Sequence, residues 1–330
     1  MRKFELTASS LLHEPDPSLD GGAPLVSSSS DFHRPVPASS FPRCLLSPPI
    51  CPDFAGRFLA GRLTDEECRV VGFREQTSRP ELIERTVLEV AGTVLTAQLA
   101  LRHGVASNVA GGTHHATRDR ARGYTILNDL ATAVRLMTWD EDDAARDGTG
   151  PEDLELLRGL YRGESPVERV LVVDTDVHQG DGTATFHNGP GSPLAGRLFT
   201  LDLHASRNYP ARKEECTYSV GLPDGTDDDG YLDALAGGLD RAIDEVRPDL
   251  VLYNAGVDVH ERDRLGRLSL TTDGIRRRDM HVVRTCRGAG LPVACTVGGG
   301  YSDDPGEVAA RHAIVHRVCA EVWREEFGWV

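Results

Sequence analysis

Val170-Leu171-Val172-Val173-Asp174-Thr175-Asp176-Val177-His178-Gln179-Gly180-Asp181-Gly182 is the stretch that decides the fold. Its first four residues form an unbroken apolar run, the pattern of a strand buried on both faces of a parallel sheet. Three acids, a histidine and two glycines follow within nine residues. Open α/β sheets build their sites at the carboxyl ends of such strands. In an extended chain Asp174, Asp176 and His178 alternate with Thr175 and Val177, so the three polar side chains share one face. Three candidate ligands on one face read as part of a metal site. A solvated edge strand followed by Asp-Gly turn chemistry is the plainer alternative, and the strand is too apolar for it.

Working outward, strands and helices alternate from Val170 to the carboxyl end. Apolar strands are expected at Val170–Val173, Leu198–Leu203, Leu250–Tyr253 and Pro292–Val297. Amphipathic helices are expected at Tyr231–Val246, Asp273–Arg287 and Gly306–Trp323. Elements alternating at these lengths predict parallel strands with helices on both faces. Upstream, Thr64-Asp65-Glu66-Glu67 has the form of a capping box. A long helix follows from Glu81 to about Arg102, with Ile83, Val87, Val90, Val94, Ala97 and Leu101 on one face and His103-Gly104 as its stop. A further helix carries Ala131 to Met137. Residues 139–166 are acidic and punctuated by glycine, and read as a surface insertion with a small helix at Glu152–Tyr161. No internal repeat and no break in composition appears after residue 51, so residues 51–330 read as one domain.

Residues 1–50 differ. They hold Ser27-Ser28-Ser29-Ser30, many prolines and no sustained periodicity, and so read as a flexible or atypical amino-terminal segment. The serines suit a transit peptide; five acids and few arginines argue against one, and no apolar core for secretion is present.

Composition excludes several classes. A net charge of -15 over 330 residues lacks the basic footprint of a direct nucleic-acid partner. It suits basic partners such as lysine-rich peptides or polyamines. The seven cysteines are scattered singly with no CxxC pair, which favours a reduced compartment over a disulfide framework or a cysteine zinc site. The expectation is a cytoplasmic protein, or a nuclear one in a eukaryote. No apolar run approaches a membrane span.

Four reactive segments fall at or just after strand ends: Gly111–Ala116, Asp174–Gly182, Gly256–His260 and Gly298–Tyr301. Parallel strands share one carboxyl edge, so these can converge there. Asp176, His178 and Asp258 then supply two carboxylates and one imidazole, leaving positions open for water and substrate. That is the count of a catalytic metal site. Zinc fits, and the oxygen-rich set also suits Fe2+, Mn2+ or Co2+. The tandem His114-His115 needs orienting groups, for which Asp174 and Asp181 are the spare carboxylates. Asp174 lies inside the strand end and Asp181 in the turn beyond, so the second pair is expected to be the more solvated. Gly298-Gly299-Gly300 alone is a tight turn; with a metal nearby, the phenol of Tyr301 could donate to an oxyanion.

In this order and spacing, GGTHHA (111–116), DTDVHQGDGTA (174–184), AGVDVHERDRLGRLSLT (255–271) and VGGGYS (297–302) resemble the histone deacetylase superfamily, which shares its fold with the arginases. NYPARK (208–213) and VGLPDGT (220–226) are most similar to class IV deacetylases and their bacterial relatives. The resemblance covers about residues 52–320. It implies a single-domain, three-layer α/β fold around a central, mainly parallel sheet. It further implies Asp176, His178 and Asp258 as zinc ligands, and His115 as general base and acid with His114 as its electrostatic partner. Asp174 and Asp181 become orienting acids and Tyr301 the transition-state tyrosine. Gly123 and Tyr124, where the family usually has Phe, line the acyl-lysine tunnel with Gly299 and Gly300. A monovalent cation near Asp174 is also implied. The expected reaction is removal of acyl groups from lysine side chains or related amines by metal-activated water.

Three departures stand out. The family's first strand and the helix after it, with its basic residue, have no clear counterpart in residues 1–50. Val257 and Arg264 replace residues that are often Phe and Pro. Asp202 stands where Ser is common near the monovalent cation. Two rivals remain: another C–N hydrolase of this architecture, such as an acetylpolyamine amidohydrolase or an arginase-like ureohydrolase, and a binding scaffold with a dead site. The arginase type needs a two-metal ligand set, whereas this pattern suits one metal.

Overall fold

In the computed structural model the decisive strand, β2 (Val170–Asp174), lies inside the sheet and is buried along its whole length. The structure describes residues 2–17, 19–39, 41, 49–72, 76–139, 143, 166–188, 192 and 194–328. The small helix expected at Glu152–Tyr161 lies outside the described residues. Five more strands join β2: β1 (Val105–Ser107), β3 (Leu198–Ala205), β4 (Tyr218–Leu222), β5 (Leu250–Asn254) and β6 (Val293–Thr296). Their order is β1-β6-β5-β2-β3-β4, and every pairing is parallel. In register, Asp174 stands beside Asp202 on one side and Asn254 on the other. Three polar residues are thereby fixed at one level of the carboxyl edge.

Alternation along each strand divides the core. Val170, Val172, Leu250, Leu252 and Ala294 face one layer, built on α2 (Pro52–Leu59), α4 (Pro80–His103) and α5 (Asp129–Met137). Leu171, Val173, Val251, Tyr253 and Cys295 face the other. That second layer is built on α7 (Asp228–Val246), α8 (Thr272–Gly288) and α9 (Pro305–Phe327). Burial on both faces is why these strands carry no polar alternation. The α3 helix (Asp65–Val71) opens on the expected capping box, in which Thr64 Oγ1 accepts from Glu67 N and Glu67 Oε2 from Thr64 N.

The amino-terminal expectation needs correction. Arg2–His13 form α1, which packs against α9. Its inward face is Lys3, Thr7, Ser10 and Leu11, with Leu11 only 2% exposed. Three of those four residues are polar, but Phe4, Ala8, Leu11 and Leu12 recur at helical spacing, a short pattern that the surrounding prolines and serines outweighed. Among the described residues no helix is long and apolar enough to cross a membrane.

Candidate active site

Each strand end contributes a fixed group. Where β2 ends, Asp174 Oδ1 accepts from the Asp176 amide at 3.1 Å, and Asp176 Oδ1 accepts from the His178 amide at 3.0 Å. This stepwise bonding presents Asp176 and His178 beyond the sheet edge. After β5, Asp258 turns back onto the same point, and its Oδ1 accepts from Val177 N at 2.8 Å. His178 Nδ1 sits 3.1 Å from Asp176 Oδ1 and 3.0 Å from Asp258 Oδ2. The three ligand atoms lie within 4.8 Å of one another, all buried.

These residues fit a bound cation. Burial pushes the His178 imidazole down, yet its contacts to Asp176 and Asp258 outweigh that and raise it to about 10. Burial pushes Asp258 up to about 7, with the Asp176 charge adding to the push. Two buried carboxylates this close demand a positive charge between them. The surrounding backbone is shaped to them as well. A Cβ at Gly299 would run into the carboxylates of Asp258 and Asp176, and the Gly299 amide donates to Asp176 Oδ2 at 2.7 Å. Only glycine permits that approach.

The tandem histidines reach the site from the loop after β1. His114 Nδ1 lies 2.7 Å from Asp174 Oδ2, and His115 Nδ1 lies 2.7 Å from Asp181 Oδ1. Their rings sit 4.1 Å apart, centre to centre. Burial alone would hold both neutral, and the two then diverge. For His114, the charges of Asp174 and Asp176 overcome burial and raise it well above the ordinary histidine value. For His115, burial and the neighbouring His114 charge win over Asp181, pushing it down to about 4. The surroundings of His114 thus favour its charged form, and those of His115 its neutral form.

The expected difference in solvation between the two pairs is not found. Asp174 is 3% exposed and Asp181 0%. Asp181 is the first residue of α6 (Asp181–Asn188), not part of an open turn, and Arg122 covers it with an ion pair to Oδ2.

Tyr301 follows the glycine turn, its amide donating to Asp263 Oδ2 at 2.7 Å. Its ring stands 6.1 Å from that of His178 and 6.3 Å from that of Tyr124. Burial, with Asp258 and Asp176 nearby, raises its phenol well above the ordinary tyrosine value, so it stays a donor. A cavity of ≈ 490 Å³ opens here, lined by His114, His115, Gly123, Tyr124, Gly299, Gly300 and Tyr301 among others. The volume is that of a small-molecule or side-chain pocket. Tyr124 holds a positive φ of 62° at the rim, a strained conformation for a non-glycine residue.

Sequence reasoning gave no role to Lys3, Tyr209, Arg122 or Asp129, and marked Asp202 only as a departure from Ser. Lys3, from α1, donates to the Gly298 carbonyl at 3.1 Å and lies 5.9 Å from the Tyr301 ring centre. Burial lowers its amine below the ordinary lysine value, against the pull of Asp258 and Asp176. A basic residue thus reaches the site from the segment read as a tail. Tyr209 sets its ring edge-on to His115 at 4.9 Å, and Arg122 Nε donates to the Tyr209 hydroxyl at 3.2 Å. Asp129 accepts from the Gly112 and Thr113 amides at 2.9 and 2.7 Å, pinning the loop that carries the histidines. Asp202, beside the expected monovalent-cation position, accepts from Gly180 N at 2.7 Å and pairs with His204 Nδ1 at 2.6 Å. Of the four without a role, Tyr209 stood within NYPARK; Lys3 carried no signal.

Comparison with known proteins gives a consistent picture. The profile of the histone deacetylase domain matches residues 60–145 and 157–316. An uncharacterized protein of Picosynechococcus is 42% identical over 273 residues, covering 82% of this chain and 80% of its own. Histone deacetylase 2 of Arabidopsis thaliana is 30% identical over 237 residues. The match covers 69% of this chain but 54%, about half, of that relative. Among solved structures, a histone deacetylase homologue complexed with SAHA superposes with a TM-score of 0.61 at 19% identity, over 98% of this chain and 76% of the other. That last likeness concerns the fold alone.

Proposed function

The chain belongs to the histone deacetylase domain family, and on that premise we propose that it is a metal-dependent amidohydrolase that removes acetyl or longer acyl groups from lysine side chains or related amines. The likeness of NYPARK and VGLPDGT supports a relation to the class IV deacetylases and their bacterial relatives. The observation that carries the reading is geometric: His114 and His115, each held at 2.7 Å by a buried carboxylate, stand beside the Asp176, His178 and Asp258 cluster. General-base hydrolysis needs an unprotonated base in place, and burial favours the neutral form of His115.

A divalent ion held by Asp176, His178 and Asp258, with zinc the first choice and Fe2+, Mn2+ or Co2+ also suited, supplies Lewis acidity that activates water and polarises the amide carbonyl. His115, oriented through Nδ1 by Asp181, takes the proton as water attacks and returns it to the leaving amine. Charged His114, held by Asp174, favours negative charge developing nearby without moving its own proton. The Tyr301 hydroxyl donates to the tetrahedral oxyanion, whose charge exists only near the transition state. Gly123 and Tyr124 wall the tunnel, while Gly299 and Gly300 let the backbone come close to the reacting carbonyl. The products are a carboxylate and a free amine, with no covalent intermediate.

Hydrolysis of a fluorogenic acetyl-lysine peptide, with and without a chelator, tests the proposal. Turnover that the chelator abolishes is expected. An inert protein containing one bound metal per chain would argue instead for a binding scaffold.

A further inference from the structure

Asp181, the acid that orients His115, divides its two oxygens between two partners. Oδ1 lies 2.7 Å from His115 Nδ1. Oδ2 accepts no hydrogen bond from the described residues and faces the Arg122 guanidinium as an ion pair. The Asp181 side chain is 0% exposed and that of Arg122 24%. A buried carboxylate is costly without a compensating charge, and breaking such a pair strands the charge that remains. Arg122 is thus the cation that allows Asp181 to sit, ionised, behind His115.

A second route leads from Arg122 to the same imidazole. Its Nε donates to the Tyr209 hydroxyl at 3.2 Å, and its guanidinium lies 5.9 Å from the centre of that ring. The ring in turn stands edge-on to His115 at 4.9 Å. The Arg122 backbone is fixed as well. Arg122 N donates to Thr125 O and Thr125 N to Arg122 O, both at 2.9 Å, and Thr125 Oγ1 donates to the same Arg122 carbonyl at 2.8 Å. Within this turn Gly123 passes so close that a Cβ there would run into the His115 ring. The guanidinium therefore rises from a fixed stem, and its fork meets the acid behind His115 and the aromatic ring beside it at once.

Resting on the deacylase reading above, we propose that Arg122 is a positioning residue for the hydrolysis: it holds Asp181 and Tyr209 against His115, so that Nδ1 stays bonded to Asp181 and Nε2 is left to exchange the proton. Arg122 itself touches none of the reacting atoms. Lysine at this position would carry the charge to Asp181 but lacks the planar fork for a second, simultaneous contact. With no cation there, the buried carboxylate must admit water, take up a proton or turn away. Each of these releases the imidazole from its fixed orientation.

Arg122→Ala and Arg122→Lys, made in the full chain, test this with an acetyl-lysine peptide. For Arg122→Ala we expect kcat to fall about 10–100-fold, the scale typical of groups that orient active-site side chains, with KM and bound metal little changed. Arg122→Lys should recover part of the loss. Millimolar guanidinium chloride added to Arg122→Ala should do the same without quickening the unaltered protein. Should Arg122→Ala fail to fold, Arg122→Gln, uncharged but of similar reach, takes its place. A kcat within about twofold of the unaltered value, a loss confined to KM, a loss of metal, or no recovery with either lysine or guanidinium would overturn the proposal. Proton NMR keeps the deacylase reading separate. The buried ring N–H groups of His114 and His115 should each give a low-field resonance, the second assigned by its loss in His115→Ala. Arg122→Ala should shift or remove the His115 resonance and spare that of His114, whether or not any peptide is hydrolysed. That change in a protein without hydrolytic activity would refute the deacylase reading alone, and an unmoved His115 resonance would refute the positioning role.

Discussion

At the scale of single residues, Tyr301 and Asp258 carry the sharpest expectations. The Tyr301 phenol is held protonated by burial beside Asp258 and Asp176. Tyr301→Phe should therefore lower kcat with little change in KM, by about 2–4 kcal/mol of transition-state stabilisation. An unchanged kcat would remove the oxyanion role. Asp258→Ala deletes one of two carboxylates facing His178 Nδ1, and most bound metal should go with it; full metal content by elemental analysis would refute the ligand assignment. His316 offers a test of pH dependence away from the site. It is buried, meets Ser107 Oγ at 2.7 Å, and burial pushes it down to about 4 from 6.5. The unfolded chain takes up that proton first as pH falls. The stability contributed by the neutral form is thus full above pH 6.5 and is lost as pH drops toward 4, by up to about 3 kcal/mol. Melting temperatures recorded from pH 7 to 4 should fall less steeply for His316→Gln than for the unaltered protein. Parallel curves would show that His316 is not the group responsible.

At the scale of elements, α1 matters more than its sequence suggests. It packs on α9, and Lys3 reaches the carbonyl of Gly298, three residues before Tyr301. Deleting residues 1–13 should lower the melting temperature, since the loss of one buried apolar anchor such as Leu11 alone typically costs about 2–5 kcal/mol, and should lower kcat through loss of the Lys3 contact to Gly298. A truncated protein with unchanged melting and turnover would restore the reading of this segment as a dispensable tail. The contrast with β2 shows what sequence can reveal. Val170–Val173 announce a central parallel strand because burial on both faces leaves an unbroken apolar run. The edge strand β4 is half exposed, and β1 has only three residues; neither gives a pattern long enough to read. Asp176, His178 and Asp258 were legible because strand ends of a parallel sheet converge by topology. The Arg122–Asp181 pair and the Lys3 contact were not, because each joins a loop or terminus to the site across a distance that no local pattern encodes.

At the scale of the whole molecule, the six-stranded parallel sheet supplies one rigid edge. Two layers of helices bury it, and loops from separate parts of the chain meet along that edge. Gly298 packs against Asn254 and Gly256, and Gly112 of the histidine loop against Asn254 and Gly298, so the histidine loop, the β5 end and the glycine turn are locked together. The central claim is that this edge is a single-metal hydrolytic centre. Stripping the protein of metal and titrating zinc back, while following acetyl-lysine peptide hydrolysis and bound metal together, tests it most directly. Activity should be absent from the stripped protein and should rise in proportion to bound zinc, reaching its plateau at one ion per chain. Turnover that survives complete metal removal, or a plateau requiring two ions per chain, would contradict the account.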